Sequence, residues 1–316
     1  MLTRHHWLGI GASILAGAFW GLVFLTPELT RGFTPIQLSA GRYLAYGLVA
    51  AALLVRSWPR VHPMLGWRDW RTLGWLGFAG NIIYYVFLAN AVQLGGVAMT
   101  SLIIGLLPVT VTLAGRRDAD AAPLLRLLPS LALGIAGLVC ISWQSLATPP
   151  HGSAQASFIG LLCALGALVS WTLYAVGNSR ALARLDGVSA HDWSLLVGLV
   201  TGAQALLLAV PAFVLHPGAH APSSWLYFGG VVTTVAILCS VVGNALWNHA
   251  SRLLPLTMTG QMIVFETLFA LLYGFIWERR LPTGLEWLAM ALLVAGVLSC
   301  ASAHRERAPA PVAVAG

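Results

Sequence analysis

The stretch Trp7-Leu-Gly-Ile-Gly-Ala-Ser-Ile-Leu-Ala-Gly-Ala-Phe-Trp20-Gly-Leu-Val-Phe-Leu-Thr-Pro27 has no charged side chain. The same is true of Phe158-Ile-Gly-Leu-Leu-Cys-Ala-Leu-Gly-Ala-Leu-Val-Ser-Trp171-Thr-Leu-Tyr-Ala-Val-Gly-Asn178. An apolar run of this length, rising about 1.5 Å per residue as a helix, spans the roughly 30 Å hydrocarbon core of a bilayer. Comparable windows lie at 7–27, 36–55, 72–92, 96–114, 127–146, 158–178, 193–214, 224–247, 256–277 and 284–303. They fill about two-thirds of the 316 residues, and the longest gap, Arg56 to Arg71, is 16 residues. Composition agrees, with 58% hydrophobic and 9% charged residues, against about 25% charged in soluble domains. A soluble globule is excluded. With no room for an extramembrane domain, function has to lie between the helices of an all-α integral membrane protein with ten transmembrane helices. Arg4 before the first run imitates a signal peptide, but Trp7 to Pro27 is too long for an h-region and has no clear cleavage site, so it reads as a mature helix.

The two quoted windows also match each other. Each Trp is the fourteenth residue of its window, with Ala18-Phe19-Trp20-Gly21 set over Val169-Ser170-Trp171-Thr172. Asn90-Ala91 near the end of the third window likewise corresponds to Asn244-Ala245 near the end of the eighth. The implied unit is five spans. Because five is odd, the second copy crosses the bilayer in the opposite sense, giving two inverted five-helix repeats of the kind transporters use to expose one site to either side. The first unit is residues 1–146, the second 147–303, and 304–316 is a short cytoplasmic tail; a polar turn at Ala147 to Ser157 marks the boundary.

Charge sets the orientation. All 17 basic residues are Arg. With the N-terminus inside, thirteen fall on the cytoplasmic side and only Arg31, Arg279 and Arg280 on the other, leaving Arg42 within a span. The positive-inside rule therefore puts both termini in the cytoplasm and the chain in the cytoplasmic (inner) membrane as a multi-pass protein. The net charge of +7 comes from short loops, not from one basic face with stacking aromatics, so it does not point to nucleic acid. Trp7, Trp58, Trp67, Trp70, Trp193, Trp225, Trp277 and Trp287 lie at window ends, where indoles anchor at the headgroup level. Cys140, Cys163, Cys239 and Cys300 all fall inside apolar windows and read as small packing residues, with no disulfide or zinc framework.

In lipid a polar group needs a protein or water partner, so polar residues at helical spacing mark interior faces. Trp171, Tyr174 and Asn178 form one stripe. Asn81 is followed one turn on by Tyr84 and Tyr85, and the eighth window has Ser240, Asn244, Trp247 and Asn248. Ser101, Gly105 and Thr112, beside Pro108, read as plain helix packing. Trp20, Tyr85, Trp171, Tyr174 and Asn244 read as cavity lining, because a ring with a polar tip at mid-depth is ill suited to face lipid. Aromatic walls with a few amides suit an amphipathic, zwitterionic or aromatic solute.

Only two ionisable residues sit well inside windows. Arg42 is about 10 Å below the outer boundary at about 1.5 Å per residue, and Glu266 is the eleventh of 22 residues in its window, near the midplane. Each costs at least about 2.5 kcal/mol to insert. Two readings stand: a structural ion pair, or substrate or proton handling centred on Glu266, since desolvation disfavours the charged form of a carboxylate. Glu28, Asp192 and Glu286 lie at window ends and read as solvated interfacial residues. His249 is the one histidine placed to line an exit path.

HExxH, GxSxG, CxxC and GxxxxGK[ST] are all missing, so the chain lacks the groups for zinc or serine hydrolysis and for nucleotide-powered transport. It reads as no enzyme, with no cofactor and no metal. An intramembrane enzyme using Glu266 remains a distant alternative.

Several of these features together resemble a known family. Ten spans with short loops, Trp20 late in the first, Arg42 within Ala40-Gly-Arg-Tyr-Leu-Ala45, Leu107-Pro108-Val109 in the fourth and Glu278-Arg279-Arg280-Leu281 after the ninth are similar to the drug/metabolite transporter superfamily, specifically the EamA-type permeases. Ser170-Trp171-Thr172-Leu173-Tyr174 leading to Asn178, and Ala245-Leu246-Trp247-Asn248, resemble its aromatic amino acid exporter branch. Two positions depart: Arg116-Arg117 stands where the family commonly has an acidic residue, and Glu266 where it often has Pro. The resemblance implies export of a small organic metabolite by alternating access. An amino acid or related metabolite is the expected substrate, aromatic ones included. The alternative is another metabolite or a drug-like cation with Glu266 as counter-charge. The expected partners are that small molecule and membrane lipid, with the chain a monomer or weak homodimer.

Overall fold

A computed structural model describes residues 4–114, 124–149, 153–185, 187–215, 218–253 and 262–305. Arg116, Arg117, Arg307, His151 and His216 lie outside that set, as do the side chains of Arg4, Thr112, Asn248, Arg252, Cys300 and Arg305. Every regular element among the described residues is helical, with no strand among them. The helices are α1 (Arg4–Leu29), α2 (Pro35–Leu54), the single turn α3 (Trp58–Val61), α4 (Trp67–Gly77), α5 (Tyr84–Gly95), α6 (Val97–Ile104) and α7 (Leu107–Ala114). They continue with α8 (Leu124–Ala147), α9 (Ala154–Arg184), α10 (Ala190–Ala209), α11 (Pro222–Val235), α12 (Asn244–Leu253), α13 (Val264–Glu278) and α14 (Gly284–Arg305).

Six of these helical stretches are long and apolar enough to cross a membrane, or seven if α2 and the segment Trp58–Met64, bent from it by 84°, count as one; Val97–Val111 and Gly284–Ser299 are apolar but shorter. Leu48, Leu207 and Leu226 are 74%, 78% and 79% exposed. Exposed leucines in such number on helices this apolar suit a bundle that turns its outer faces to lipid.

Helix starts follow from local chemistry. Pro35 opens α2, and Thr34 caps it reciprocally with Gln37: the Gln37 amide donates to Thr34 Oγ1 (3.2 Å) and the Thr34 amide donates to Gln37 Oε1 (2.9 Å). Ser189 does the same work for α10, its Oγ accepting from the Asp192 amide at 3.0 Å. The fourth window is broken. α6 stops at Ile104 and α7 resumes at Leu107, one residue before Pro108, whose ring suits the first turn of a new helix.

Packing depends on close helix crossings. Gly47 of α2 meets Gly202 of α10 so closely that a β-carbon on either would come within 2.6 Å of the other's Cα. Gly202 also approaches the Tyr43 carbonyl, and Gly47 the Gly198 carbonyl, so the contact reads alike from both sides. On α1, Gly17 and Gly21, four residues apart, rest on the backbone of α13 at Phe265–Glu266 and Phe269–Ala270. This is the small-residue route to association in lipid, where dispersion replaces the hydrophobic effect. The principal contacts are α2 with α10, α8 with α14, α5 with α9, and α1 with α12 and α13; α9 also packs on α6 and α7.

Two long helical stretches are interrupted midway by a wider π-helical segment, Phe78–Ile83 between α4 and α5 and Ala236–Gly243 between α11 and α12, and a further one, Val210–Leu215, follows α10. A π segment disturbs the regular ladder and leaves carbonyls in need of other donors. Ser170 Oγ of α9 donates to the Ala79 carbonyl at 2.7 Å, and Trp20 Nε1 of α1 to the Cys239 carbonyl at 2.9 Å. Each of the two midway segments also has a glycine that admits a ring: Gly80 faces Tyr174, and Gly243 faces Trp20.

The window-end carboxylates differ from expectation. Glu28, Asp192 and Glu286 are buried, not solvated. Each is paired, with Arg31 (2.7 Å), Arg60 (2.6 Å) and Arg280 (2.6 Å) respectively. A carboxylate taken out of water persists only with such partners.

Candidate solute site between the helices

Arg42 on α2 is 7% exposed. Its guanidinium carbon lies 4.5 Å from the Tyr85 ring centre and 5.3 Å from that of Tyr43, and the two rings meet edge to face at 5.9 Å. Its one hydrogen bond is long, Nη2 to Ser240 Oγ at 3.5 Å. Nε and Nη1 are buried with no hydrogen-bond partner, and so is the Tyr85 hydroxyl. Each such unpaired group costs about 1–3 kcal/mol, more when charged. Tyr43 and Tyr85 supply cation–π attraction but do not accept those protons.

Glu266 stands in the first turn of α13, where the helix dipole favours a carboxylate. It is only partly buried. Among the described residues no ion pair within 4.0 Å joins it to Arg42, although the two charges act on each other through space, with Tyr84 and Cys239 also in range. The ion-pair reading of Arg42 and Glu266 therefore fails at contact distance. The break between α6 and α7 abuts this place, since a β-carbon on Gly105 would come within 2.9 Å of Thr267 Oγ1.

Tyr84, Tyr85 and Glu266 are thus brought together around Arg42, with Trp20 one step away on the second π segment, where it also packs on Trp247 at 5.2 Å. Trp171 and Tyr174, 5.8 Å apart, sit together against the first π segment. The three amides serve ties between helices. Asn81 Nδ2 donates to Thr201 Oγ1 (3.0 Å), Asn178 Oδ1 accepts from Trp193 Nε1 (2.7 Å), and Asn244 Nδ2 donates to Ser194 Oγ (3.4 Å). His249 is exposed. Cys239 does more than fill space: its thiol donates to the Phe19 carbonyl at 2.9 Å, so α1 and the second π segment are held by two bonds. Sequence reasoning missed the π segments and Tyr43. It also passed over the Gly17-x-x-x-Gly21 and Gly198-x-x-x-Gly202 spacings, which mark the close crossings. A cavity of about 480 Å³ lined by Leu25, Tyr273, Ile276, Trp277 and Arg279 lies at the far ends of α1 and α13 and contains none of the expected site residues.

Comparison with known proteins adds the following. A model of the EamA-like transporter family matches residues 7–143 and 158–301. The chain is 35% identical to the inner membrane protein YtfF of Escherichia coli, over 95% of this chain and 96% of that one. It is 24% identical to an uncharacterized transporter of Archaeoglobus fulgidus, over 95% and 98%. A protein of known crystal structure, 21% identical, superposes with a TM-score of 0.63 over 95% of this chain and 99% of the other, which shows a common fold.

Proposed function

The chain belongs to the EamA-like transporter family, and from that premise we propose that it exports a small organic metabolite across the cytoplasmic membrane by alternating access, with amino acids, aromatic ones among them, as the leading substrate class. The proposed architecture is ten spans in two inverted halves, both termini cytoplasmic. Several observations support it. The family model matches the chain in two stretches that part near the expected boundary. The contacts are interchangeable between halves: α2 meets α10 and α8 meets α14, while α1 on α12 and α13 has its counterpart in α9 on α5 and α6–α7. The step along the chain from Thr34 to Ser189, both helix caps, equals that from Gly47 to Gly202, which touch. Interrupted helices at corresponding positions of two halves point to a binding site between them. The name of the E. coli relative and the excess of Arg on one side support the inner membrane and the orientation.

One observation carries the substrate reading: opposite charges, Arg42 and Glu266, share a tyrosine-lined place at membrane depth without contacting each other. Charges there are tolerated where they meet each other, water or a solute. The test is a counterflow screen in proteoliposomes with labelled amino acids and organic cations. Trans-stimulated uptake of an amino acid is expected. Uptake of cations alone would favour the second reading, a drug-like cation exporter, which the partial exposure of Glu266 also suits.

A further inference from the structure

Arg42 is an odd structural residue. It is more than nine-tenths buried, yet Nε and Nη1 have no partner and the bond to Ser240 is at the limit of hydrogen-bond length. An arginine kept in a bundle for architecture has its rigid fork of donors satisfied by carbonyls or a carboxylate. Here Glu266, a carboxylate that Arg42 acts on through space, stays beyond contact. The Tyr85 hydroxyl lies near the guanidinium and Thr26 and is likewise buried with no hydrogen bond of good geometry within 3.5 Å. Three unpaired donors, two of them on a cation, thus lie together. Near them stands a partly exposed acceptor, Glu266, whose carboxylate forms no ion pair within 4.0 Å with a described residue. A guanidinium lacking acceptors is complementary to a carboxylate, which it binds more strongly than a neutral acceptor.

We propose that Arg42, with Tyr85 beside it, anchors the carboxylate of an α-amino acid whose ammonium group turns to Glu266, so that the solute replaces the ion pair the protein leaves unmade. This rests on the reading of the chain as an amino acid carrier and narrows it to zwitterions read at both ends. Tyr43 and Tyr85 hold the guanidinium by cation–π contact, which uses up none of its N–H donors. Ser240, on the π segment, fixes one corner of the fork.

The experiment measures ligand-induced shifts in melting temperature, and from them Kd, for the purified full-length protein. The probes are phenylalanine, 3-phenylpropionate, which lacks the ammonium, and phenethylamine, which lacks the carboxylate. Phenylalanine is expected to bind tightest, with each singly charged analogue roughly 10- to 100-fold weaker, the loss expected for one charged hydrogen-bonded contact. Arg42→Gln should then bring phenylalanine down to the level of phenethylamine while leaving phenethylamine unchanged, and Tyr85→Phe should weaken only the two carboxylates.

If phenylalanine and phenethylamine bind the native protein equally, no carboxylate is read and the proposal falls. If phenylalanine binds Arg42→Gln as it binds the native protein, the anchor falls while the amino acid reading survives. Binding of 3-phenylpropionate alone, lost in Arg42→Gln, would keep the anchor and overturn the amino acid reading and the zwitterion together. Binding of no probe overturns both. Should Arg42→Gln fail to fold, the native series and Tyr85→Phe still decide.

Discussion

The two ends of the bundle are closed by different chemistry. At one end the halves meet through ion pairs: Arg60, from the turn after α2, reaches Asp192 at the start of α10, and Arg184 at the end of α9 reaches Asp69 in the first turn of α4, both at 2.6 Å. At the other end the halves meet through rings. Phe33, just before α2, stacks on His220 at 4.2 Å and on Phe228 at 4.3 Å, with Trp225 edge-on at 4.9 Å. In the proposed two-half architecture these are matching places, the connection after one long helix meeting the start of its counterpart. Yet Arg60 is 66% exposed in its pair, whereas Phe33 is 5% exposed in its cluster. An ion pair whose arginine lies in water is screened by salt and is worth about 1 kcal/mol, while a buried ring cluster depends on contact area. If the ends open in turn, the ionic end should open more easily.

The largest effect is expected at the ring end. Phe33→Ala removes the ring that His220, Trp225 and Phe228 share and should cost about 3–5 kcal/mol of stability, read as a fall in melting temperature. A fall equivalent to less than about 1 kcal/mol would mean that those rings do not hold the end shut. Next comes the place both ends serve. Glu266→Gln should cut transport about 100-fold, or about 2.7 kcal/mol, with little change in melting temperature, since no contact with Arg42 is lost. Rescue of transport in the Arg42→Gln, Glu266→Gln double variant would instead restore the structural pair.

Trp20→Ala leaves the Cys239 carbonyl without its donor and should destabilise by about 1–3 kcal/mol more than Trp171→Ala, whose neighbour Ser170 still serves Ala79. Equal losses would show that the π-segment carbonyl is satisfied otherwise. The smallest effect is at the ionic end. Asp192→Asn should cost about 1 kcal/mol, and thiol labelling there should rise in high salt while labelling at the ring end stays constant.

Much of this was legible in the sequence because it depends on local pattern. Hydropathy placed the apolar stretches, helical spacing put Trp171 with Tyr174, and the Trp20–Trp171 match led to the two-half reading. What stayed hidden depends on residues far apart in the chain. Asp192 reads as solvated because its partner Arg60 is 132 positions away. The π segments read as ordinary apolar helix, since what makes them stable is a donor from another helix. Glu266 sits mid-window by count, but the helix that carries it begins at Val264, so its surroundings are those of a helix start. The asparagines show the limit of polarity as a signal, because an amide facing inward serves a neighbouring helix as readily as a solute.

The inverted halves are tested most directly by the sidedness of two corresponding connections. Arg68 follows α3, and Ser223 begins α11; both are exposed. In a chain whose four cysteines are replaced by serine, Arg68→Cys and Ser223→Cys are exposed in intact cells to a membrane-impermeant thiol reagent. Inversion predicts that Ser223→Cys is labelled from outside and Arg68→Cys only after the membrane is opened. Labelling of both from the same side would contradict it.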